Sequence, residues 1–282
     1  MTVEHVEALV LGAGMAGLTT AYRLTQRGLR PVVLEADTRV GGTVRGGTVG
    51  DHALDLGAES FALRRPEARA LAEELGLAVQ EPAGGGSSVW APTGPDGVAR
   101  ALPIPADSIL GIPAHPDAAD ALAAIGPDGA ARAARDAHLG PGPGSDATDL
   151  ASLVRVRMGQ AVLDRLVRPV AGGIHAADPT ALAVDSVAPG LRAAMAERGS
   201  LAGAVAALRE RAPAGAVVAT TAGGLFRMVH ALREAVDAQG EVRTGRRVTD
   251  LRPVPTGGWE VRDAAGGVLR APLVVLALPG PA

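Results

Sequence analysis

Ala8-Leu9-Val10-Leu11-Gly12-Ala13-Gly14-Met15-Ala16-Gly17 opens a pattern that closes at Pro31-Val32-Val33-Leu34-Glu35. With 38 glycines in 282 residues, the G-x-G-x-x-G spacing by itself proves little. Its surroundings decide. An apolar strand, Ala8–Leu11, precedes it. A helical stretch from Met15 to Arg27 follows, with Leu18, Ala21 and Leu24 on one face. Gly28 stands where a helix C-cap belongs, Pro31 begins a second apolar strand, and Glu35 ends it at the acidic offset of the fingerprint. The pattern predicts a βαβ unit that grips a dinucleotide through residues Gly12, Ala13, Gly14, Met15, Ala16 and Gly17. Gly12 permits the tight turn, Gly14 lets the backbone approach a pyrophosphate, and Gly17 lets helix and sheet pack closely. Free N–H groups and the positive end of the helix dipole then hold the phosphates. Glu35 is expected to accept hydrogen bonds from ribose hydroxyls. A glycine-rich turn in an unrelated βαβ unit is the competing explanation.

Outward from this unit the texture changes twice. A second amphipathic helix is expected over about Pro66–Leu75, ended by Gly76. Residues 81–150 are rich in Gly, Pro, Ala and Asp, with Gly84-Gly85-Gly86 and Gly140-Pro141-Gly142-Pro143-Gly144 as the clearest loops. Leu150 to Arg211 reads as helical, interrupted at Pro169, Gly172-Gly173 and Pro189-Gly190. Residues 217–282 return to a mixed pattern. A helix of about Leu225–Val236 is followed by β-like runs near Arg246–Leu251, Trp259–Arg262, Val268–Arg270 and Leu273–Leu278. The simplest architecture is an α/β nucleotide-binding domain built from residues 1–80 and 215–282, with residues 81–214 as a mostly helical insertion.

Composition excludes several chemistries. No cysteine is present, so disulfides, thiolate metal sites, Cys nucleophiles and redox dithiols are ruled out together. His5, His52, His115, His138, His175 and His230 lack metal-ligand spacing, and no metal site is expected. The net charge of −3 gives no basic face for nucleic acid. All 27 basic residues are arginine, and lysine and asparagine are missing, which points to a GC-rich coding sequence. The N-terminus lacks the basic start of a signal peptide, and the apolar stretch Ala8–Leu18 is too short and too glycine-rich to span a bilayer. The expected location is the cytoplasm; the oligomeric state is left open.

The choice of cofactor comes from a resemblance. Glu35-Ala36-Asp37-Thr38-Arg39-Val40-Gly41-Gly42-Thr43-Val44-Arg45 resembles the E-x-x-x-R-x-G-G-x-x-R segment of the glutathione-reductase-like, amine-oxidase-type flavoproteins. That resemblance implies FAD and a Rossmann-type FAD-binding domain. It implies that Glu35, Ala36, Arg39, Gly41, Gly42, Thr43 and Arg45 lie along the cofactor, with the arginines near its phosphates and flavin. A solvated Gly-Gly loop is the bland alternative. Asp55-Leu56-Gly57-Ala58-Glu59-Ser60 is similar to the following segment, so Gly57, Ala58, Glu59 and Ser60 are implied to approach the isoalloxazine ring; Glu59 reads equally well as an ordinary exposed carboxylate. Gly223-Gly224-Leu225 before a helix, then Arg246-Arg247-Val248-Thr249, resembles the segment in which the main chain of Val248 would hold the adenine.

Within that superfamily, Pro169-Val170-Ala171-Gly172-Gly173-Ile174-His175-Ala176-Ala177-Asp178-Pro179 resembles a pattern of the protoporphyrinogen/coproporphyrinogen oxidases. The resemblance covers nearly the whole chain and is weakest over 81–150. His175 stands where that family has an aromatic residue. The resemblance implies oxidation of a porphyrinogen, with hydride equivalents passing to flavin and molecular oxygen as acceptor. Coproporphyrinogen III of the actinobacterial type is favoured, and protoporphyrinogen IX is the near alternative. No triad or nucleophile constellation is visible, in keeping with chemistry that belongs to the cofactor. Arg64, Arg65 and Arg168 are candidate partners for substrate carboxylates, against the plainer reading of each as a solvated surface charge. Rival functions are an amine oxidase or desaturase on the same fold, which would lack the Gly172–Pro179 pattern, and a flavin-binding fragment without turnover. The second rests on the expectation that a terminus just after Leu278 leaves a sheet and half a pocket uncovered.

Overall fold

A computed structural model describes residues 3–83, 86–92, 98–211 and 218–280. Gly84 and Gly85 of the expected glycine loop, and the boundary near 214, lie outside the described residues. The content is mixed α/β, and the chain divides into two compact units, residues 1–83 with 215–282 and residues 84–214.

In the first unit a four-stranded parallel sheet runs Glu241–Arg243, Pro31–Leu34, Ala8–Leu11, Leu273–Leu276. Leu9 registers with Val32 on one side and Val274 on the other. Ala8–Leu11 is buried at every position, the signature of a parallel strand covered on both faces. Side-chain alternation assigns the faces. Val10 and Val33 pack with Leu18, Ala21, Val229 and Leu232 from the helices Met15–Thr25 and Phe226–Asp237. Leu9, Leu11, Val32 and Leu34 pack on the opposite face with Val261, Leu269 and Ala271. Each fully buried Leu or Val among these contributes roughly 1.5–3 kcal/mol. That second face is covered by the antiparallel strands Val248–Pro253, Trp259–Asp263 and Val268–Ala271, with Val3–His5 added in parallel at the edge. A small sheet sets Val218–Thr221 between Phe61–Ala62 and Val79–Gln80.

The first helix ends at Thr25, two residues earlier than its apolar pattern suggests. Gly28 takes φ +80°, and the Leu29 N–H donates back to the Leu24 carbonyl at 3.1 Å, a Schellman closure. The same device ends the helix Glu67–Glu74, where Gly76 takes φ +74° and the Leu77 N–H reaches the Ala72 carbonyl at 2.9 Å.

The second unit departs from expectation in two places. Residues 81–150, expected to begin a mostly helical insertion and to carry glycine-rich loops, also hold the hairpin Ser88–Pro92/Ala99–Pro103, and their helix Ala119–Ala134 is broken where Gly126 takes φ +73° before Pro127. An Ala-rich helix carrying a Gly-Pro pair looks like loop by composition alone. Second, Pro169 and Gly172-Gly173 do not interrupt the chain's helical course: both lie inside the helix Arg168–His175. The backbone widens to a π-type turn over Leu163–Val167 just before the proline, which accommodates its missing N–H and its ring. Breaks fall instead at Gly159, φ +91°, and after His175, where Ala176 takes φ +51°, while the expected break at Pro189-Gly190 is present, with Gly190 at φ +83°. Leu150, Leu153, Val154, Leu163, Leu166 and Leu191 form the core, and Arg157 is enclosed beside it with Asp136.

Candidate functional site

The fingerprint turn is held by close approaches that only glycine allows. Gly12 takes φ +102°, and a Cβ there would lie 2.5 Å from the Ala277 carbonyl oxygen. A Cβ on Gly17 would lie 1.8 Å from the Gly12 carbonyl oxygen, so the first turn of the helix sits directly on the strand end. Gly14 differs: nothing lies within 4 Å of a Cβ built on it. Its surroundings are open space on the wall of a cavity of about 830 Å³, bordered by Gly12, Gly14, Glu35, Gly42, Arg45 and Val248. The helix begins at the next residue, and its leading N–H groups have no carbonyl within the helix to bond.

The loop after the second strand is docked onto this turn. The Gly41 N–H donates to the Ala13 carbonyl at 2.8 Å, and a Cβ on Gly42 would stand 3.5 Å from the Gly14 Cα. Gly41 takes φ +109°, with no room for a Cβ against the Val44 carbonyl at 2.2 Å. Glu35 is fixed on both carboxylate oxygens: Oε2 accepts the Ala13 N–H at 2.7 Å and Oε1 the Asp37 N–H at 2.8 Å. A carboxylate has about four lone-pair sites, so it retains capacity for ribose hydroxyls. The Asp37 carboxyl lies below the usual carboxylate range, chiefly because the Thr38 N–H and hydroxyl donate to it.

Ala36, Thr43 and Val248 border the same large cavity, as do Arg246, Arg247 and Leu278, which the sequence reading leaves without a role. Ala13, Met15, Ala16, Gly17 and Gly41 do not border it; Ala13 is fully buried, with its N–H given to Glu35. Gly57 and Ala58 run beside the loop: the Ala58 N–H donates to the Thr43 carbonyl at 2.9 Å, and a Cβ on Gly57 would be 2.0 Å from that oxygen. Glu59 and Ser60 border a separate cavity of about 320 Å³ with Asp55 and Thr220. Arg39 borders a third, of about 270 Å³, while Arg45 borders both this and the large one.

Of the arginines proposed for substrate, Arg64 and Arg65 are exposed on the first unit and make no ion pair among the described residues. Arg168, on the second unit, is held by Asp164 at 3.4 Å and by Asp178. Asp178 is itself kept below the usual carboxylate range, first by the Thr180 N–H and hydroxyl and then by Arg168. The sequence reading misses Asp55, whose carboxylate accepts the N–H groups of Leu225 and Phe226. One signal was available. Gly223-Gly224-Leu225 offers no Ser, Thr, Asp or Asn cap for the helix it precedes, so an acceptor had to come from elsewhere.

Among the described residues no group of acidic or histidine side chains could hold a metal ion, and no helix is long and apolar enough to cross a membrane.

Comparison with known proteins gives a consistent assignment. The coproporphyrinogen III oxidase of Mycobacterium tuberculosis is 33% identical over 282 residues, covering 96% of this chain and 58% of that protein. That of Staphylococcus aureus is 30% identical over 188 residues, covering 65% of this chain and 39% of the other. The chain thus spans under two thirds of the length of these relatives. Among solved structures, a putative protoporphyrinogen oxidase from Exiguobacterium sp. superposes with a TM-score of 0.76 at 22% identity, covering all of this chain and 60% of its own. Putrescine oxidase shares the fold with a TM-score of 0.62 at 19% identity, covering 99% of this chain and 59% of its own. The family model for flavin containing amine oxidoreductases matches residues 15–282. The chain belongs to the flavin-containing amine oxidoreductase family, and its cofactor is FAD.

Proposed function

We propose that residues 1–80 and 215–282 form a Rossmann-type, glutathione-reductase-like FAD-binding domain. Residues 81–214 are then a mostly helical insertion that serves the substrate. The reaction is oxidation of a porphyrinogen, coproporphyrinogen III to coproporphyrin III, with molecular oxygen as acceptor. FAD supplies the two-electron redox chemistry when bound; the protein binds, orients and shields.

The large cavity fits that cofactor. Its roughly 830 Å³ suits a sizeable ligand, and its wall lacks a side chain at Gly14, where a pyrophosphate must approach backbone. Gly14 and the leading N–H groups of the helix would hold the phosphates. Glu35, already aligned by Ala13 and Asp37, would take the ribose hydroxyls. Val248 would present its main chain to the adenine, and Thr43 and Arg45 would lie along the remainder. Gly57, which permits the close contact with Thr43, and Ala58, Glu59 and Ser60 after it would approach the ring system.

The choice of substrate rests on one observation: 33% identity over 96% of the chain with proteins named coproporphyrinogen III oxidase. Protoporphyrinogen IX is the second reading, supported by 28% identity over 199 residues with protoporphyrinogen oxidase 2 of Arabidopsis thaliana. The likeness to putrescine oxidase, at 19% identity, speaks for the fold alone. The test is a flavin absorption spectrum of the purified protein, followed by oxygen consumption with each porphyrinogen in turn. Faster turnover of coproporphyrinogen III is expected. Preference for protoporphyrinogen IX would overturn the substrate, and failure to take up FAD would overturn the whole reading.

A further inference from the structure

A cavity of about 320 Å³ lies within the first unit and shares no bordering residue with the large one. Asp55, Glu59 and Ser60 border it together with Val218, Ala219 and Thr220 of the strand Val218–Thr221. Its polar groups divide into those already paired and those still free. The Asp55 carboxylate accepts the Leu225 and Phe226 N–H groups. Glu59, Ser60 and Thr220 make no side-chain hydrogen bond or ion pair among the described residues. The Thr220 hydroxyl is moreover buried, and a buried polar atom without a partner is uncommon in a folded protein. No arginine or histidine among the described residues borders the space, so nothing there offsets the Glu59 charge.

Such a wall selects a ligand by the sense of its hydrogen bonds. An ionised carboxylate only accepts, and a hydroxyl accepts as readily as it donates. An incoming carboxylate or phosphate meets the Asp55 and Glu59 charges with no cation between them, which is repulsive. An N–H group gains a charge-assisted hydrogen bond from Glu59 beside the apolar surface of Val218, Ala219 and Pro82. A porphyrinogen offers both kinds of group. Its carboxylates lie on the rim of the macrocycle. Its pyrrole nitrogens donate but do not accept, because their lone pairs belong to the rings, and saturated carbon bridges let those N–H groups tilt toward one face. In the oxidised porphyrin the ring is planar and the remaining N–H groups point to its centre.

We propose that this cavity receives the pyrrole N–H face of the substrate, with Glu59 and Thr220 as acceptors and the substrate carboxylates turned away from it. Glu59 then distinguishes porphyrinogen from porphyrin, holding the substrate and releasing the flattened product. The proposal rests on the reading of the chain as a porphyrinogen oxidase. At about 320 Å³ the cavity admits one part of a macrocycle, with the rest lying outside it.

The experiment has two calorimetric arms. Coproporphyrinogen III is titrated under argon into the FAD-loaded protein kept reduced with dithionite, so that no turnover occurs, and coproporphyrin III into the oxidised protein. The parent is expected to bind the porphyrinogen more tightly. Glu59→Ala should weaken porphyrinogen binding roughly tenfold, the scale of one lost charge-assisted hydrogen bond. Coproporphyrin III, which carries the carboxylates but presents no N–H face, should bind that variant as well as the parent or better. Thr220→Val, close in shape, should weaken the porphyrinogen a few-fold. Circular dichroism checks that each variant is folded. Unchanged or tighter porphyrinogen binding in Glu59→Ala would overturn the proposal, as would equal losses for the two tetrapyrroles. A parent protein that takes up FAD but binds neither tetrapyrrole would defeat the porphyrinogen reading itself, and the proposal with it.

Discussion

The Asp55 carboxylate accepts the backbone N–H of Phe226 at 2.8 Å through Oδ1, while Oδ2 takes the N–H of Leu225 at 2.8 Å. The helix so capped begins 171 residues further along the chain, and it packs on the same face of the sheet as the fingerprint helix. One side chain thus ties the first stretch of the first unit, residues 1–83, to its second, residues 215–282. Asp55→Ala should cost about 1–2 kcal/mol, the upper range for a lost N-terminal cap, because two N–H donors lose their acceptor at once. Asp55→Asn keeps one acceptor oxygen and should cost less. Urea midpoints of the two variants check the order; equal midpoints for Asp55→Ala and the parent would refute it.

The Ala13 and Asp37 N–H groups orient both carboxylate oxygens of Glu35, whose proposed role is to accept the ribose hydroxyls of FAD. In Glu35→Gln one oxygen becomes an NH₂ that faces a donor, so a ribose contact and a backbone contact are both weakened. The FAD dissociation constant should rise about tenfold, equivalent to roughly 1.4 kcal/mol, with the far-UV spectrum unchanged. Fluorescence titration of FAD reads this directly. An unaltered constant removes Glu35 from the cofactor site.

Much of the fold was legible because its signals are local. Ala8–Leu11 and Pro31–Leu34 are short apolar runs closed by glycine, proline or a carboxylate, and a strand between two covered faces needs nothing else. The helix over Phe226–Asp237 shows its buried face at Val229, Leu232 and Val236. What stayed hidden depends on partners distant in sequence. The role of Asp55 requires a helix start far downstream. Arg39 and Arg45 are read alike from one motif, yet the loop turns Arg39 toward the small cavity and sets Arg45 between the two. In the second unit the rule that proline ends a helix failed at Pro169, because the preceding π-type turn absorbs the missing hydrogen bond.

Glu74 gathers three donors on Oε1: the Arg23 guanidinium at 2.7 Å, Gln26 at 2.5 Å and the Tyr22 hydroxyl at 3.0 Å. These donors, Arg23 foremost, hold its carboxyl down to about 2 from an ordinary 4.5. A lowered folded-state value means stability that is present above 4.5 and lost as pH falls toward 2. Glu74→Gln should therefore lie below the parent in urea midpoint near neutral pH, and the gap should narrow steadily below 4.5. A gap independent of pH would show that Glu74 acts through packing rather than charge.

Arg157 is fully buried, and its Nε meets Asp136 Oδ1 at 2.5 Å. Its terminal nitrogens donate to the carbonyls of Gly140 at 2.5 Å, Gly199 at 3.1 Å and Asp136 at 3.2 Å. Asp136 Oδ2 in turn accepts the Ala202 N–H at 2.8 Å. The pair therefore joins the 140–144 loop, the end of the helix Leu191–Arg198 and the start of Leu201–Glu210 at a single buried point. Arg157→Met strands a buried carboxylate and leaves several carbonyls unpaired, at a cost of about 3–5 kcal/mol. Adding Asp136→Asn removes the stranded charge while keeping an acceptor for Ala202. The double variant should recover part of the loss, so the two substitutions are strongly non-additive. Chemical unfolding of both singles and the double completes the cycle. Additive losses would mean that the two side chains stabilise the helical unit independently, and that the ion pair between them contributes nothing.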